Sequence, residues 1–282
     1  MLARRDWMRA GFVGAIAALQ RGAAAQSFLT GASTGVQGED GLRRVADELA
    51  GLGIHNVETS GSGTRLVDLY AGRAGELKDE FARRKLRLIG YAQYSMMGEA
   101  VRRKELVDLH LRIGRFIQPQ GARYITHLWT LPPRTLTAQD YKDFAGNVNE
   151  TGKRLLGETG LRIGYHAERE DVSAGLLDPV MESTDPRYFG LVADVGHLQA
   201  GGLDPLLVCK RYRSRIIAAH LRDFDPMAGA SGGFVPLGKG VINLAGVIAF
   251  LRESGFTESV NAEGGGIAAS RDHMVQRLGL EL

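Results

Sequence analysis

Cysteine is almost missing from this chain of 282 residues: Cys209 stands alone, so no intramolecular disulfide can form. Thiolate-based zinc sites are excluded for the same reason, and a lone cysteine with apolar neighbours reads as plain core. No apolar run reaches the ~20 residues that a membrane-spanning helix needs. The stretch Ala10–Leu19 has only ten. Net charge is scarce as well. Of 35 basic and 32 acidic residues, four arginines and one aspartate fall in the first 25, which leaves 31 of each sign in the remainder. A neutral body lacks the concentrated basic face of nucleic-acid binders, so the pI near 9.0 is no argument for nucleic acid as a partner. Packing must supply the stability. With 44% hydrophobic and 24% charged residues the chain can bury one large core, and ~250 residues is an ordinary size for a single α/β domain.

The first 25 residues read as an export signal. Arg4-Arg5-Asp6-Trp7-Met8-Arg9 precedes the short apolar stretch, and Ala23-Ala24-Ala25 offers a small-residue cleavage site. Paired arginines, a spacer, two bulky apolar residues and a further arginine resemble a twin-arginine signal, the route for proteins that fold before crossing. The expectation is a leader over 1–25, a mature domain over 26–282, a periplasmic or secreted location, and no membrane contact once the leader is removed.

From residue 27 onward, short apolar runs alternate with longer segments of helical period. Strands are expected at 27–33, 54–59, 86–92, 122–129, 161–168, 189–194, 215–221 and 258–263. Helices are expected at 40–51, 66–83, 98–116, 138–158, 174–183, 203–212, 242–254 and 270–278. In the first helix Leu42, Val45, Ala46, Leu49 and Leu52 recur at three- and four-residue spacing, and Gly53 stops it. Strict strand–helix alternation implies a parallel sheet, and eight repeats imply closure into a single-domain (β/α)8 TIM barrel. An open doubly wound sheet would want a glycine-rich fingerprint after the first strand, which TGASTGVQGED offers only loosely.

In such a barrel the chemistry collects at the carboxyl ends of the strands. There the sequence places Glu58, His127, His166, Glu168, Asp194, His197, His220, Arg222, Asp223 and Glu263. Any one of these acids or imidazoles alone could be a cap or a hydrogen-bonded core residue; together at one rim they read as a site. His55, His110 and His273 lie away from the strand ends and take no role. Carboxylates from strands six and eight, an imidazole from strand seven, and Glu168 or His166 from strand five can share one space only around a cation. One divalent metal, Mn²⁺, Mg²⁺, Co²⁺ or Zn²⁺, suits that donor set. His166 and Glu168 fall on the same side of an extended strand by its two-residue period, and Glu168 is preferred as the ligand because a carboxylate can also serve as base.

These residues carry a resemblance. LGETGLRIGYHAERE, GLVADVGHLQAGGLDP, RIIAAHLRDFDP, FVPLGKGVINLAGVIAFLRESGF and VNAEGG, spread over residues 150 to 265, resemble the successive landmarks of the sugar phosphate isomerase/epimerase family, the xylose isomerase-like TIM barrels. The Asp-x-x-His after strand six, the His-Leu-Arg-Asp of strand seven and the Leu-Gly-x-Gly loop are the most specific. The resemblance implies a metal held by Glu168 or His166, Asp194, His220 and Glu263, with His197 and Arg222 reaching substrate oxygens. Glu58, His127 and Lys239 of the Gly-Lys-Gly loop are added as substrate contacts. Strand five departs from the pattern of many epimerases in the family, which place a glutamate at its end; YHAE puts His166 first.

Such a site supports proton removal next to a carbonyl through an enediolate, with Glu263 or Glu168 as base and His197 steadying oxygens. Reprotonation on the other face epimerises, reprotonation on the next carbon isomerises, and loss of a β-substituent makes a lyase. A carbohydrate isomerase or epimerase is therefore the primary reading. A lyase or dehydratase acting on a keto-sugar, keto-glycoside or inosose, and a non-catalytic exported sugar-binding barrel, are the alternatives. A nuclease like endonuclease IV would need more metal ligands and a basic surface. Self-association into a homo-oligomer is left open.

Overall fold

The computed structural model describes residues 28–60, 66–95, 102–129, 135–264 and 266–282, so the leader expected over 1–25 lies outside the described residues. Eight parallel strands close a barrel: β1 (Leu29–Gly35), β2 (Asn56–Ser60), β3 (Arg87–Ser95), β4 (Tyr124–Trp129), β5 (Arg162–His166), β6 (Phe189–Asp194), β7 (Ile216–Leu221) and, beyond a small antiparallel hairpin of β8 (Asp223–Phe224) with β9 (Phe234–Val235), β10 (Ser259–Glu263). The last strand pairs with the first, from Leu29 opposite Ser259 to Ser33 opposite Glu263. The single-domain (β/α)8 barrel is thus the observed fold.

Around the barrel run α1 (Gly38–Gly51), α2 (Leu66–Leu69), α3 (Ala74–Arg83), α4 (Arg103–Ile117), α5 (Ala138–Thr159), α6 (Arg169–Ser173), α7 (Leu177–Ser183), α8 (Val195–Ala200), α9 (Pro205–Arg211), α10 (Leu244–Glu253) and α11 (Ile267–Asp272). The apolar stripes lie inward as the spacing requires: Leu42, Ala46 and Leu49 of α1 are buried, as are Val247, Ile248 and Leu251 of α10. Four expected helices differ, the one at 270–278 being α11 followed by a π-helical turn over His273–Arg277. The helix expected over 66–83 is α2 and α3, parted where Gly72 takes a φ of 72° that side chains resist. The helices expected at 174–183 and 203–212 are preceded by α6 and α8, short turns of helix that begin almost at the ends of β5 and β6. Among the described residues no helix is long and apolar enough to cross a membrane.

Two register shifts shape the barrel interior. Between β6 and β7, Leu191 faces Ile216 but Val192 faces Ala218, so Ile217 is an extra residue. Such a bulge re-aims a side chain, and Ile217 fills the space left by Gly164 and Gly190, where an added Cβ would meet its side chain. The second shift, between β2 and β3 at Val57/Glu58, leaves Gly90 against the ring of Tyr124, 2.5 Å from where a Cβ would stand. Glycines on the inner face therefore admit a few large side chains, and Tyr124, Val192, Ile217 and Ala218 form the floor beneath the mouth.

Helix α5 approaches the segment before β6 so closely that a Cβ on Gly152 would run into the Tyr188 carbonyl oxygen, whereas Gly157 on the same helix faces open space. Glycine costs a helix about 1 kcal/mol relative to alanine, while forcing atoms into a packed contact costs typically about 1–3 kcal/mol. The backbone oxygen cannot yield as a side-chain tip would. Gly152→Ala is therefore expected to lower stability by about 1–2 kcal/mol net and Gly157→Ala to raise it by up to about 1 kcal/mol, both read from urea midpoints.

Candidate active site

Each end of β5, β6, β7 and β10 delivers one polar side chain to the barrel mouth. His166 is the last residue of β5, Asp194 the last of β6, His220 lies one residue before the end of β7, and Glu263 closes β10. One donor atom from each lies within 4.8 Å of the other three. His166 Nε2 stands 3.6 Å from Asp194 Oδ2 and 3.6 Å from Glu263 Oε2, and His220 Nδ1 touches the same Glu263 oxygen. None of the four atoms has a hydrogen-bond partner of good geometry, although all are buried. Orphaned buried donors and acceptors are rare and costly. Ligands held about 2.1 Å from one ion stand roughly 3–4 Å apart, so two imidazoles and two carboxylates in this arrangement fit a divalent cation.

The remaining atoms of these side chains are committed. Asp194 Oδ1 caps α8 by accepting the His197 backbone N–H at 2.7 Å. Glu263 Oε1 accepts from Arg222 Nη2 at 2.6 Å, and the Arg222 guanidinium lies 4.6 Å over the ring of Phe234 on the hairpin. His220 Nε2 faces Glu58 Oε2 at 2.9 Å. His197 Nδ1 accepts the Arg169 backbone N–H at 2.9 Å, while Nε2 stands 2.9 Å from Arg222 Nη1 and 3.1 Å from Glu168 Oε2.

The electrostatics follow. Burial opposes charge on His166, but Asp194 and Glu263 outweigh it and hold the imidazole well above its usual range. Burial likewise opposes charge on His220, yet Glu58 and Glu263 raise it to about 10. Glu263, despite burial, is held well below the carboxylate range by His220, His166 and Arg222. His197 goes the other way, lowered to about 4 chiefly by burial, so at neutral pH it is uncharged. Burial raises Glu168, the one carboxylate of the group outside the four donors.

The structure thus brings together His166, Asp194, His197, His220, Arg222, Glu263 and Glu168, and it alters four expectations. The strand-five residue among the four clustered atoms is His166, with Glu168 beside the cluster: β5 stops at His166, Glu168 precedes α6 with its N–H on Asp171, and the two-residue period that aligned the pair no longer applies. Glu58 is no substrate contact, being fully buried beneath the mouth. His127 points the opposite way, because its neighbour Thr126 is the inward residue of β4. Its ring packs outside the barrel, 5.9 Å from His110 and 6.4 Å from Phe189. Lys239 is exposed on a loop that Asp223 ties down through the N–H groups of Gly238, Gly240 and Ile242. Among the described residues no contact joins it to the four donors.

Two mouth residues went unread in the sequence. Tyr94 near the end of β3 is half exposed, and its phenol is raised by burial and by the charges of Glu168 and Glu263. Its signal was the Gly90-Ala92-Tyr94 alternation, which puts it on the inner face. Phe234 lies against both Arg222 and the His197 ring, the latter at 4.9 Å; only the hairpin, invisible to periodicity, brings it there.

A sequence profile described as xylose isomerase-like TIM barrel matches residues 22–274. The chain belongs to that family. Among curated relatives, an inosose dehydratase of Clostridium tetani is 36% identical over 92 residues, which is 31% of this chain and 30% of that protein. Inosose dehydratase 1 of Bacillus cereus is 26% identical over 227 residues, 69% of this chain and 74% of that protein. The match thus spans under a third of the first relative and about three quarters of the second. Among solved structures, a sugar phosphate isomerase/epimerase from Parabacteroides distasonis superposes with a TM-score of 0.64 at 19% identity, covering 91% of this chain and 95% of that one. At that identity the likeness is one of fold.

Two of the four donors carry protons in the ion-free protein at neutral pH, because the folded-state values of His166 and His220 lie above the ordinary imidazole range. Binding through a bare nitrogen must expel each proton. Mn²⁺ titration at pH 7 is expected to release about two protons, and affinity to rise with pH until His220 has deprotonated near 10. Calorimetry in buffers of different ionisation enthalpy measures both; a pH-independent affinity would contradict the donor set.

Proposed function

We propose that this chain is a divalent-metal-dependent enzyme that removes the proton beside a carbonyl of a cyclic keto-sugar or keto-polyol and expels the β-hydroxyl as water. The observation that carries the reading is a single carboxylate, Glu168, whose Oε2 stands 3.1 Å from His197 Nε2 at the edge of a four-donor group that does not use it. A divalent ion held by His166, Asp194, His220 and Glu263, drawn from Mn²⁺, Mg²⁺, Co²⁺ or Zn²⁺, would polarise a ketone oxygen and offset the negative charge left as the proton departs.

The chain's own residues supply the rest. Glu168, raised by burial, is a better base near neutral pH than Glu263, which its cationic neighbours hold in the weakly basic ionised form. The proton taken from carbon passes to Glu168, the electron pair enters the bond toward the carbonyl, and the β-hydroxyl leaves as water with the proton that Glu168 returns. One acid/base suffices for that sequence. Epimerisation by two opposed bases needs a second base, and the opposite carboxylate at this mouth, Glu263, is held weakly basic by His220, His166 and Arg222. Arg222 presents N–H groups toward substrate oxygens with His197 beside it, and a cavity of about 440 Å³ lined by Ser33, Thr34, Arg222 and Glu263 adjoins the group on the side of β1 and β10. The dehydratase names of the sequence relatives support elimination. Isomerisation or epimerisation, the primary reading from sequence, shares the first step and differs in where the proton returns.

The test is incubation of the purified protein with Mn²⁺ and inososes, ketoses or 3-keto-glycosides in D₂O. An unsaturated ketone is expected from the cognate substrate, and Glu168→Gln should lower kcat by about 10²–10⁴-fold with little change in KM. Deuterium entering at the carbon beside the carbonyl without loss of water would move the reading to isomerase or epimerase; no exchange with any substrate would overturn it. We propose in addition that the enzyme acts outside the cytoplasm. Protein recovered from an exporting host should then begin at Gln26 by N-terminal sequencing, and replacing Arg4 and Arg5 by lysine should leave the leader attached.

A further inference from the structure

Directly under the donor group lies a second polar cluster that the proposed reaction does not use. Glu58, on β2, has no exposed surface. Its Oε2 accepts from Tyr124 Oη at 2.6 Å, from His220 Nε2 at 2.9 Å and from Asn261 Nδ2 at 3.1 Å, while Oε1 accepts from Thr126 Oγ1 at 2.7 Å. Tyr124 is itself held by Ser259 Oγ at 3.0 Å and Asn261 Nδ2 at 2.7 Å. Strands β2, β4, β7 and β10 thus converge on one buried carboxylate. An isolated carboxylate at this depth would cost several kcal/mol, and the donors around it keep it charged and fixed in one orientation.

We infer that Glu58 is a positioning residue for the ion-binding group, acting by fixing the tautomer and direction of His220. An ionised carboxylate only accepts hydrogen bonds. Facing Glu58 at 2.9 Å, His220 Nε2 must carry a hydrogen. The other nitrogen, Nδ1, is then the one whose lone pair is free once a proton leaves, and it points at Glu263 Oε2 in the four-donor group. The reverse tautomer sets two lone pairs against each other below and a hydrogen in the cation's place above. Tyr124, Thr126 and Asn261 act one step further back, holding Glu58 so that the imidazole plane cannot turn. Buried carboxylates behind ligating imidazoles raise ligand basicity and set ring orientation in the same way.

This inference rests on the proposal that His166, Asp194, His220 and Glu263 bind a divalent ion, and its test separates the two. In the full-length protein loaded with diamagnetic Zn²⁺, long-range ¹⁵N–¹H correlation should show His220 protonated at Nε2 and bare at Nδ1, with a slowly exchanging Nε2 proton. Glu58→Gln, of the same shape but able to donate as well as accept, should lose that slow exchange. It should also bind Mn²⁺ tenfold or more weakly, within the 10–100-fold usual for such supporting partners. Thr126→Val, which removes one donor and leaves the carboxylate, should show a smaller loss of affinity in the same direction, and it serves if the glutamine variant fails to fold. A proton on Nδ1 in the wild-type Zn²⁺ complex would overturn the inference. So would wild-type Mn²⁺ affinity in a folded Glu58→Gln protein or, where that variant does not fold, in Thr126→Val. Absence of Mn²⁺ and Zn²⁺ binding by the wild type would overturn the ion site and this inference together.

Discussion

Two buried carboxylates share one imidazole, and the rest of the mouth is arranged around that crowding. Asp194 and Glu263 each bring an oxygen to within 3.6 Å of His166 Nε2. Like charges about 4 Å apart at a partly buried site repel by about 4 kcal/mol at an effective dielectric of 20, so they coexist only with positive charge between them. In the ion-free protein protonated imidazoles supply it. Arg222 neutralises the outer oxygen of Glu263 and is itself held against Phe234, while Glu58 balances His220 from below. Acid, imidazole, acid and guanidinium alternate outward from the barrel interior, and each has a neighbour of opposite sign.

The barrel was legible because parallel strands covered on both faces read as short apolar runs between segments of helical period. Asp194, His220 and Glu263 were legible for a related reason: each is a polar residue at or near the end of a run that is otherwise buried. The strand-five donor was not. Choosing between His166 and Glu168 by a two-residue period assumes a strand that continues, and β5 stops two residues short of Glu168. His127 failed by a single step of the same alternation, since Thr126 faces in and its neighbour therefore faces the helices. Depth is a further quantity that sequence alone does not carry. Glu58 stands two residues before the end of β2 yet lies below the other acids, because strands in a closed barrel are staggered against one another.

Loops decided the remainder. Phe234 reaches Arg222 and His197 only because β8 pairs with β9, and Arg169 beside Glu168 secures that hairpin by donating to the Gly232 carbonyl oxygen at 3.0 Å. Asp223, which reads as one more acid in the strand-seven motif, spends its oxygens on backbone N–H groups of the loop carrying Lys239. The same motif therefore contains a donor, a guanidinium that steadies another donor, and a loop anchor. Their roles differ by where each side chain points as the chain leaves β7.

Glu263 sits on the strand that joins the end of the chain to its beginning. Its three fellow donors come from β5, β6 and β7, the strands that follow β10 round the ring, so all four stand on one continuous arc. A ligand that needs all four adds its binding free energy to complete unfolding and to any opening that frees the last strand, while fraying elsewhere gains nothing from it. Occupancy of the mouth thereby becomes a clasp on the C-terminal arc of the barrel, holding β10 against β7 while the seam between β10 and β1 is left to backbone pairing alone.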